Sequence, residues 1–427
     1  MKDINVLMYA IHQDPRGFIG GGFIRTYEVL KRGKKHGINY FVVEPKKSFK
    51  RLEPEMNYKC YEINCDFNFY NPKSVLECTM KALKRGLDVI KKHNIDLVCS
   101  PVEVHPSNLL PYFTYLLTGV PWTITLQSLP LYGNLIVAGK KVKLSLNDMY
   151  SRLRKLDFSI ISSIFASCSY LLLYNILRKC PKILVTSRTV VQDFRIIDPL
   201  LAKRLYVIYP GNAIDQDIAE SLPSTHKIYD AVFVSSYDPR KGLNDIIDIW
   251  YYITREKPSA KLAIMGKVGR DWKSSQKVLE KLKHNIAEKG LEQNITFVGD
   301  LINGSSRHAL LTEMKKGKIL LYPSTLDSWG LIVGEALACG LPVVAYDTLA
   351  VRTAYGNSNS IFFVPVGNKK MFAKVASLLM ENSLVKKYGR EAAKYIKTYY
   401  SWDKVVQAEK AAYFKVLEAY RYGESKF

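Results

Sequence analysis

The sequence predicts an α/β protein with two doubly wound domains, each a parallel sheet covered by helices on both faces. Twelve short apolar runs, bounded by turn residues, alternate with helical patterns along the 427 residues. Runs that are apolar throughout are typical of parallel strands buried on both sides. The runs form two groups of six, and a chain of this length favours two domains.

The first six predicted strands lie at residues 5–9, 39–43, 96–100, 122–126, 183–186 and 205–208. The second six lie at 231–235, 261–265, 295–298, 319–322, 342–346 and 361–364. Residues 215–227 between the groups lack periodicity and contain a proline, so the domain boundary is expected there. We predict an N-terminal domain over 1–215, a C-terminal domain over 228–400, and a helix within 401–427 that packs back on the N-terminal domain.

The composition bounds the function. Hydrophobic residues make up 48% of the chain, which excludes wholesale disorder. Lys and Arg number 62 against 39 Asp and Glu, a net charge of +23. Such an excess predicts an anionic partner, namely a phosphorylated substrate, an acidic membrane surface or nucleic acid, although simple solubility also explains it. No known nucleic-acid module is visible, so we expect no nucleic-acid partner.

The cysteines and the N-terminus indicate a compartment. Seven scattered cysteines without a C-x-x-C pair are typical of reduced thiols in a cytosolic protein. The first ten residues contain an acid and too short an apolar run for a signal peptide. The sequence therefore predicts a cytoplasmic protein.

The segment from Tyr322 to Tyr346 carries the strongest site signal. A strand ends, a polar turn follows, and a helix begins near Leu331. Free backbone N–H groups at Ser328, Trp329, Gly330 and Leu331 would form an anion pocket suited to a phosphate. Asp327 and Glu335 bracket this turn and can accept hydrogen bonds from sugar or ribose hydroxyls; the alternative is a helix cap and a solvated helix residue.

This segment resembles the signature of the retaining glycosyltransferases of the GT-B fold, the large family-four group. Their pattern is E-x7-E followed by A-x-A-x-G-x-P-V-V. Here Asp327 and Glu335 hold the two acidic positions, and the later positions match in register at Ala336, Ala338, Gly340, Pro342, Val343 and Val344. The resemblance implies two Rossmann-like domains facing each other across a cleft, with Asp327 orienting the donor sugar and Glu335 binding the ribose.

Further matches occur in the family's order. The run from Gly20 through Gly21 and Gly22 to Arg25 resembles its G-G-x-x-R loop, where glycine lets the backbone approach a pyrophosphate; a tight β–α turn is the alternative. The resemblance places Arg25 at the acceptor, and it places further residues at the nucleotide-sugar donor. Lys241 and Arg240 are expected at the donor diphosphate, and Gly266 and Val298 at the nucleotide base. A solvated turn lysine is the alternative for Lys241.

Two positions depart from the family's pattern, one near the reacting sugar and one at the donor site. After the strand at 122–126 the family often has a histidine, and this chain has Gln127, which can hydrogen-bond a sugar hydroxyl but cannot titrate. Ser236 stands where the family usually has arginine. Glu103 and His105, after the preceding strand, are candidate acceptor residues.

The sequence shows no metal-binding constellation, so we expect no metal and no permanently bound cofactor.

An insert at residues 140–182 combines basic and apolar character. Residues 158–177 are uncharged, and positively charged residues flank them. An apolar helix with basic flanks is typical of an interfacial helix on an acidic membrane, and a helix in the domain core explains the pattern equally well.

Taken together, the resemblance implies a retaining glycosyltransferase that uses a UDP- or GDP-type sugar donor. Lys241, Asp327 and Gln127 are its expected catalytic residues. The expected acceptor is a lipid-linked glycan or polyprenyl phosphate at the cytoplasmic face of the membrane, to which the protein binds peripherally. A soluble sugar-phosphate acceptor remains an alternative, as does a non-catalytic nucleotide-sugar or nucleic-acid binding protein on the same scaffold.

Overall fold

The chain forms two α/β units. One comprises residues 1–212 together with 402–427, and the other comprises residues 213–401. The computed structural model describes residues 2–11, 21–45, 57–65, 67–68, 71–101, 108–128, 130, 145–154, 159–214, 216–223, 225–267, 272–299, 307–325, 327 and 329–422.

The first unit is built on a seven-stranded sheet in the order β3-β2-β1-β4-β5-β6-β7, and its recorded strand pairs are parallel. Its strands are β1 (Ile4–Tyr9), β2 (Ile38–Pro45), β3 (Lys59–Ile63), β4 (Leu97–Ser100), β5 (Trp122–Leu126), β6 (Ile183–Val185) and β7 (Leu205–Val207). The six strands predicted in this half are all present. The edge strand β3 was not predicted, because its residues are largely half-exposed and lack an apolar run.

Helices cover this sheet. They are α1 (Gly21–Gly33), α2 (Pro72–Lys92), α3 (Leu110–Thr118), α4 (Leu146–Arg154), α5 (Ile160–Leu177), α6 (Arg188–Ile197), α7 (Pro199–Ala202) and, at the end of the chain, α16 (Trp402–Arg421). Side chains define where several of them begin. Asn71 accepts hydrogen bonds from two backbone N–H groups at the start of α2, and Ser159 and Ser187 cap α5 and α6. Each such cap satisfies an N–H group that the helix itself leaves unpaired.

A buried polar cluster joins the last helix of the chain to the first. The guanidinium of Arg25 on α1 forms an ion pair with Glu409 on α16, and both side chains are almost completely buried. Arg25 Nε also donates to the carbonyl oxygen of Gly211 at 2.6 Å. Glu409 accepts a further hydrogen bond from Tyr413, whose hydroxyl lies 3.3 Å from that of Tyr40. Segments far apart in sequence are therefore fastened together inside this unit.

The second unit is built on a six-stranded sheet in the order β10-β9-β8-β11-β12-β13, again with parallel pairs. Its strands are β8 (Tyr229–Ser236), β9 (Leu262–Lys267), β10 (Ile295–Phe297), β11 (Gly317–Tyr322), β12 (Val343–Tyr346) and β13 (Ile361–Val364). Its helices are α8 (Gln216–Ser221), α9 (Leu243–Glu256), α10 (Trp272–Glu288), α11 (Arg307–Lys315), α12 (Leu331–Ala338), α13 (Leu349–Tyr355), α14 (Lys369–Leu379) and α15 (Asn382–Tyr399). All six predicted strands are present. Alternate residues along the strands belong to two different apolar clusters, as expected for a sheet buried on both faces.

The uncharged stretch at 158–177 becomes α5, which has two different faces. One face packs into the core of the first unit through residues such as Leu173, Tyr174 and Leu177. The opposite face carries exposed isoleucine and leucine side chains. Among the described residues, α5 is the one helix whose length and composition would allow it to cross a membrane, and half of it is buried within the protein. The core alternative thus holds for one face of α5, and the interfacial alternative stays a prediction for the other.

The cysteines differ from the expectation that all are reduced. Cys65, just after β3, forms a disulfide with Cys78 on α2, with their Cα atoms 5.6 Å apart. The two residues are 13 positions apart, and the packing of α2 beside β3 brings them together. The other five cysteines are free thiols.

Thiol titration checks this pairing. Protein purified without reductant and then denatured is expected to show five reactive thiols, because the Cys65–Cys78 pair cannot react. Adding reductant should raise the number to the seven present in the sequence. The variant Cys65→Ser is the matched control: it should show six without reductant, since Cys78 is released. Seven reactive thiols in the unreduced protein would contradict the disulfide.

Candidate functional site

The candidate site lies at the carboxyl ends of two neighbouring strands of the second unit. β8 and β11 are parallel neighbours, so the turns that follow them leave the sheet at the same edge. Ligands of doubly wound sheets bind at this edge. The two turns are also bonded to each other, because Thr325 donates from both its backbone N–H and its hydroxyl to the carbonyl oxygen of Arg240, each at 3.0 Å.

These turns bring Lys241 and Asp327 together. Lys241 ends the short 3-10 turn after β8, and its Nζ lies 2.8 Å from Asp327 Oδ2. Both side chains are about one quarter exposed, so the pair is accessible from solvent. The two residues are 86 positions apart in sequence, and each was predicted from a separate motif. The structure thus brings Lys241, which is expected to bind the diphosphate, next to Asp327, which is expected to orient the sugar.

Tyr322, the last residue of β11, completes this cluster. Its hydroxyl donates a hydrogen bond to the same Asp327 oxygen that Lys241 contacts. The Tyr322 side chain is buried, and burial together with the neighbouring Asp327 charge raises the pKa of Tyr322 well above its ordinary value. The phenol therefore stays protonated across the physiological pH range and acts only as a donor to Asp327. Tyr322 was not predicted as a site residue. The sequence signal that could have identified it is its position at the end of a strand, five residues before Asp327.

The helix that follows Asp327 begins without a side-chain cap. Gly330 precedes α12 with a φ of 81°, a left-handed conformation that favours glycine, and glycine has no side chain that could cap the first turn. The first N–H groups of such a helix favour an anion. Leu331, at the first helical position, is half-buried. The Trp329 side chain is buried against Tyr355 and Tyr400, so only its backbone can serve a ligand.

Glu335 occupies the buried side of α12. Its side chain is only 2% exposed, which rules out the solvated helix residue considered as an alternative. Carboxylates are rarely buried to this extent unless they have polar partners. Its assignment to the ribose stays a prediction.

The other expected donor residues have specific surroundings. Arg240 makes a forked contact with Asp238 in the same turn, with the shortest N–O distance at 2.6 Å, and its side chain is largely exposed. At the end of β9, the ring of Tyr237 packs directly against Gly266, where no side chain would fit. Val298 continues the β10–β9 pairing by donating to the carbonyl of Ile264. Tyr237 is a second residue that the motif analysis did not single out.

In the first unit, Gln127 contacts the start of α1. Its Nε2 donates to the carbonyl oxygens of Gly22, at 3.3 Å, and of Pro101, at 3.2 Å. The Gln127 amide thus connects the glycine-rich segment, which also includes Gly21, to the end of β4. This geometry gives Gln127 a positioning role toward the glycine segment, beyond the sugar contact expected from sequence. Gly20, Glu103, His105 and Ser328 lie outside the described residues.

Replacing Gly22 with alanine tests this contact. An alanine Cβ would lie 2.8 Å from Gln127 Oε1, at the flexible end of that side chain, so the Gln127 amide can move aside. We expect Gly22→Ala to break the Gln127 hydrogen bonds and to reduce the free energy of unfolding by about 1 kcal/mol. Chemical denaturation measures the change. With Gln127→Ala as the background, the same glycine replacement should be neutral or stabilising by about 0.5–1 kcal/mol, because the clash is gone and alanine favours the helix. Equal destabilisation in both backgrounds would contradict the contact.

Arg25 requires a correction. The family resemblance places it at the acceptor, but its side chain is 1% exposed and is held by Glu409 and the Gly211 carbonyl. A guanidinium enclosed in this way stabilises the junction between α1 and α16. The G-G-x-x-R pattern gave no indication of this, since the partner lies 384 positions away.

No group of three or more His, Cys, Asp or Glu residues able to hold a metal ion occurs within the part of the chain that the structure describes.

Comparisons with known proteins match the second unit most directly. Residues 215–398 match the family model described as Glycosyl transferases group 1. A D-inositol 3-phosphate glycosyltransferase of Jonesia denitrificans is 24% identical over 172 residues, covering 40% of this chain and 39% of the relative. A phosphatidyl-myo-inositol mannosyltransferase of Mycobacterium leprae is 25% identical over 171 residues, covering 39% and 42%. The chain thus spans less than half the length of these curated relatives.

Solved structures extend the likeness to the whole chain at the level of the fold. A glycosyltransferase from Rickettsia africae superposes with a TM-score of 0.68 at 16% identity, covering 98% of this chain and 99% of the other. The Anabaena protein HepE, solved with UDP and glucose, gives 0.63 at 15% identity, covering 96% and 99%. Residues 215–398 therefore match a group 1 glycosyltransferase domain, in a chain that has the fold of the GT-B glycosyltransferases.

Proposed function

We propose that this protein transfers a sugar from a nucleoside-diphosphate donor to an acceptor, with retention of the anomeric configuration. The observation that carries the proposal is the pairing of Lys241 with Asp327 beside the uncapped start of α12. A cation, a carboxylate and a helix N-terminus at one sheet edge can bind a diphosphate and the hydroxyls of its sugar together. The family match of the same residues supports this function.

The chemistry follows from where charge develops. When the bond between the sugar and the diphosphate breaks, negative charge accumulates on the leaving diphosphate. Lys241 and the first N–H groups of α12 are positioned at the same edge to stabilise that charge. In the mechanism that the family resemblance implies, the acceptor attacks the donor sugar from the same face from which the diphosphate departs. No carboxylate nucleophile is then required. Contacts of Gly21 and Gly22 with the same diphosphate stay a prediction.

The ion pair itself has a role in donor binding. In the structure, Asp327 Oδ2 receives hydrogen bonds from both Lys241 and Tyr322. A diphosphate competes with Asp327 for the Lys241 ammonium because it carries more negative charge. Once Lys241 turns to the diphosphate, Tyr322 keeps the carboxylate in place, and Asp327 can accept a hydrogen bond from the donor sugar.

Thermal shift with UDP, GDP and ADP tests donor binding. A nucleotide that binds the folded protein raises its melting temperature by mass action. HepE, a structural neighbour, was solved with UDP, which supports UDP as the first nucleotide to test. Nucleotide release from UDP- and GDP-sugars, measured with and without an acceptor lipid extract, then separates a transferase from a protein that only binds. Binding without any release would favour the non-catalytic alternative.

For the acceptor we propose a lipid-linked glycan or a polyprenyl phosphate at the cytoplasmic face of the membrane. The positive charge of the chain and the exposed apolar face of α5 support it. A soluble sugar phosphate is the second candidate, favoured by the relative named for D-inositol 3-phosphate. Radiolabelled product that partitions into the organic phase supports the lipid acceptor, and product confined to the aqueous phase supports the soluble one.

A further inference from the structure

The outer face of α5 is apolar and faces solvent. Ile160, Ile161, Ile164 and Leu172 are 59%, 73%, 53% and 44% exposed. Their spacing places them along one side of the helix, opposite the residues that pack into the core. Large apolar side chains gathered on one exposed face commonly mark an interaction surface.

A second helix extends this surface. The crossovers that contain α2 and α5 both lead in the same direction along the sheet, so right-handed connections place both helices on one face. The two helices pack against each other. On α2, Leu76 and Met80 are exposed one helical turn apart. We call the exposed faces of these two helices the α2–α5 face.

The α2–α5 face combines apolar and positively charged parts. Helix α2 carries six Lys or Arg residues against two acidic ones, whereas α5 carries no charge within its 18 residues. Lys84 and Arg85 are exposed on α2, and together with Lys81 they line a shallow groove between α2 and the end of β3. Lys81 itself forms an ion pair with Glu77, so Lys84 and Arg85 are the cations considered for lipid phosphates. A basic helix beside an apolar one is complementary to an acidic bilayer, which offers phosphate groups and hydrocarbon at adjacent depths.

We propose that the α2–α5 face docks on an acidic phospholipid bilayer, with the α5 isoleucines entering the headgroup boundary and the α2 cations contacting the lipid phosphates. The proposal rests on the proposed function, because it places the protein where a lipid-linked acceptor is found. Half of α5 is buried within the protein, so the helix lies on the bilayer rather than across it. Since cations contribute, binding weakens as salt concentration rises.

Flotation with lipid vesicles tests the proposal. The full chain is mixed with vesicles of phosphatidylcholine, with or without phosphatidylglycerol. We expect flotation with the acidic vesicles and much less with the neutral ones. The double variant Ile161→Ser/Ile164→Ser should weaken binding about tenfold or more, because two apolar side chains no longer enter the boundary. Lys84→Gln/Arg85→Gln should weaken binding to acidic vesicles and reduce its dependence on salt.

The matched control removes apolar side chains elsewhere. Met371 and Leu378 on α14 are exposed in the second unit, so Met371→Ser/Leu378→Ser should leave flotation unchanged. Circular dichroism confirms that each variant is folded. Wild-type protein that does not float with acidic vesicles, or flotation that Ile161→Ser/Ile164→Ser does not alter, overturns the proposal. Self-association that this double variant abolishes, without flotation, assigns the face to a second copy of the chain and overturns it as well.

A separate measurement distinguishes this proposal from the proposed function. Nucleotide release from UDP-sugars is assayed with acceptor lipids dissolved in detergent, where docking on a bilayer is not needed. Activity in detergent without flotation rejects the α2–α5 face and leaves the transferase intact. Flotation without nucleotide release in any condition rejects the transferase and leaves the docking surface intact.

Discussion

Lys241→Ala is expected to reduce the turnover of the nucleotide-sugar donor by about 10²–10³-fold, because a charge that stabilises the departing diphosphate is removed from the site. That loss corresponds to about 2.7–4 kcal/mol of transition-state stabilisation. Steady-state measurement of nucleotide release, with donor concentration varied, gives kcat and KM separately. We expect a large decrease in kcat, since the interaction with the diphosphate strengthens as the negative charge develops.

The controls separate this role from general electrostatics. Lys386 on α15 is exposed and belongs to the same unit, so Lys386→Ala should retain full turnover. Tyr322→Phe keeps Lys241 but removes the hydroxyl that holds Asp327, and it should give an intermediate loss. Full activity of Lys241→Ala would reject the assigned role and, with it, the assignment of the site.

The second large effect is on stability. Arg25→Met leaves the Glu409 carboxylate buried without its cation, which should reduce the free energy of unfolding by about 3–5 kcal/mol. For a unit of this size the melting temperature falls by about 2–4 °C per kcal/mol, so calorimetry should show a decrease on the order of 10 °C. If Arg25 instead served the acceptor, the variant would raise the acceptor KM and leave the melting temperature unchanged.

A double variant identifies the cause of that loss. Arg25→Met/Glu409→Leu replaces the whole ion pair with apolar side chains of similar size, so no charge is left buried. We expect it to be clearly more stable than Arg25→Met alone, since well-packed apolar replacements of buried pairs are often neutral or stabilising. A double variant as unstable as the single one would show that the packing of Arg25, and not its charge, stabilises the junction.

The fold was largely predictable because most of its strands are continuous apolar runs in the sequence. A buried parallel strand must be apolar on both faces, and all twelve such runs became strands. The strand β3 was not recognised in the sequence, because an edge strand with half-exposed residues needs no apolar run. The Cys65–Cys78 pair and the burial of Arg25 depend on partners brought close only by the packing of whole helices, and local pattern carries no record of such contacts.

The site was predictable in its parts but not in its connections. Lys241 and Asp327 were each identified from the motif around them, and the adjacency of β8 and β11 brings them within 2.8 Å. That Lys241 and Tyr322 share one oxygen of Asp327 was not predictable, since it depends on how the two turns are oriented. Motifs specify residue types at strand ends, whereas hydrogen-bond partners follow from the folded backbone.

The buried Arg25–Glu409 pair also constrains how the protein is made. The two residues are 384 positions apart, and ribosomes add about 5–20 residues per second, so roughly 20–80 s separate the appearance of the cation from that of its partner. During that interval residues 213–401 are synthesised in full, and they can fold while the earlier unit still lacks its last helix. Until residues 402–421 are synthesised, the nascent N-terminal half therefore lacks the carboxylate that pairs with Arg25.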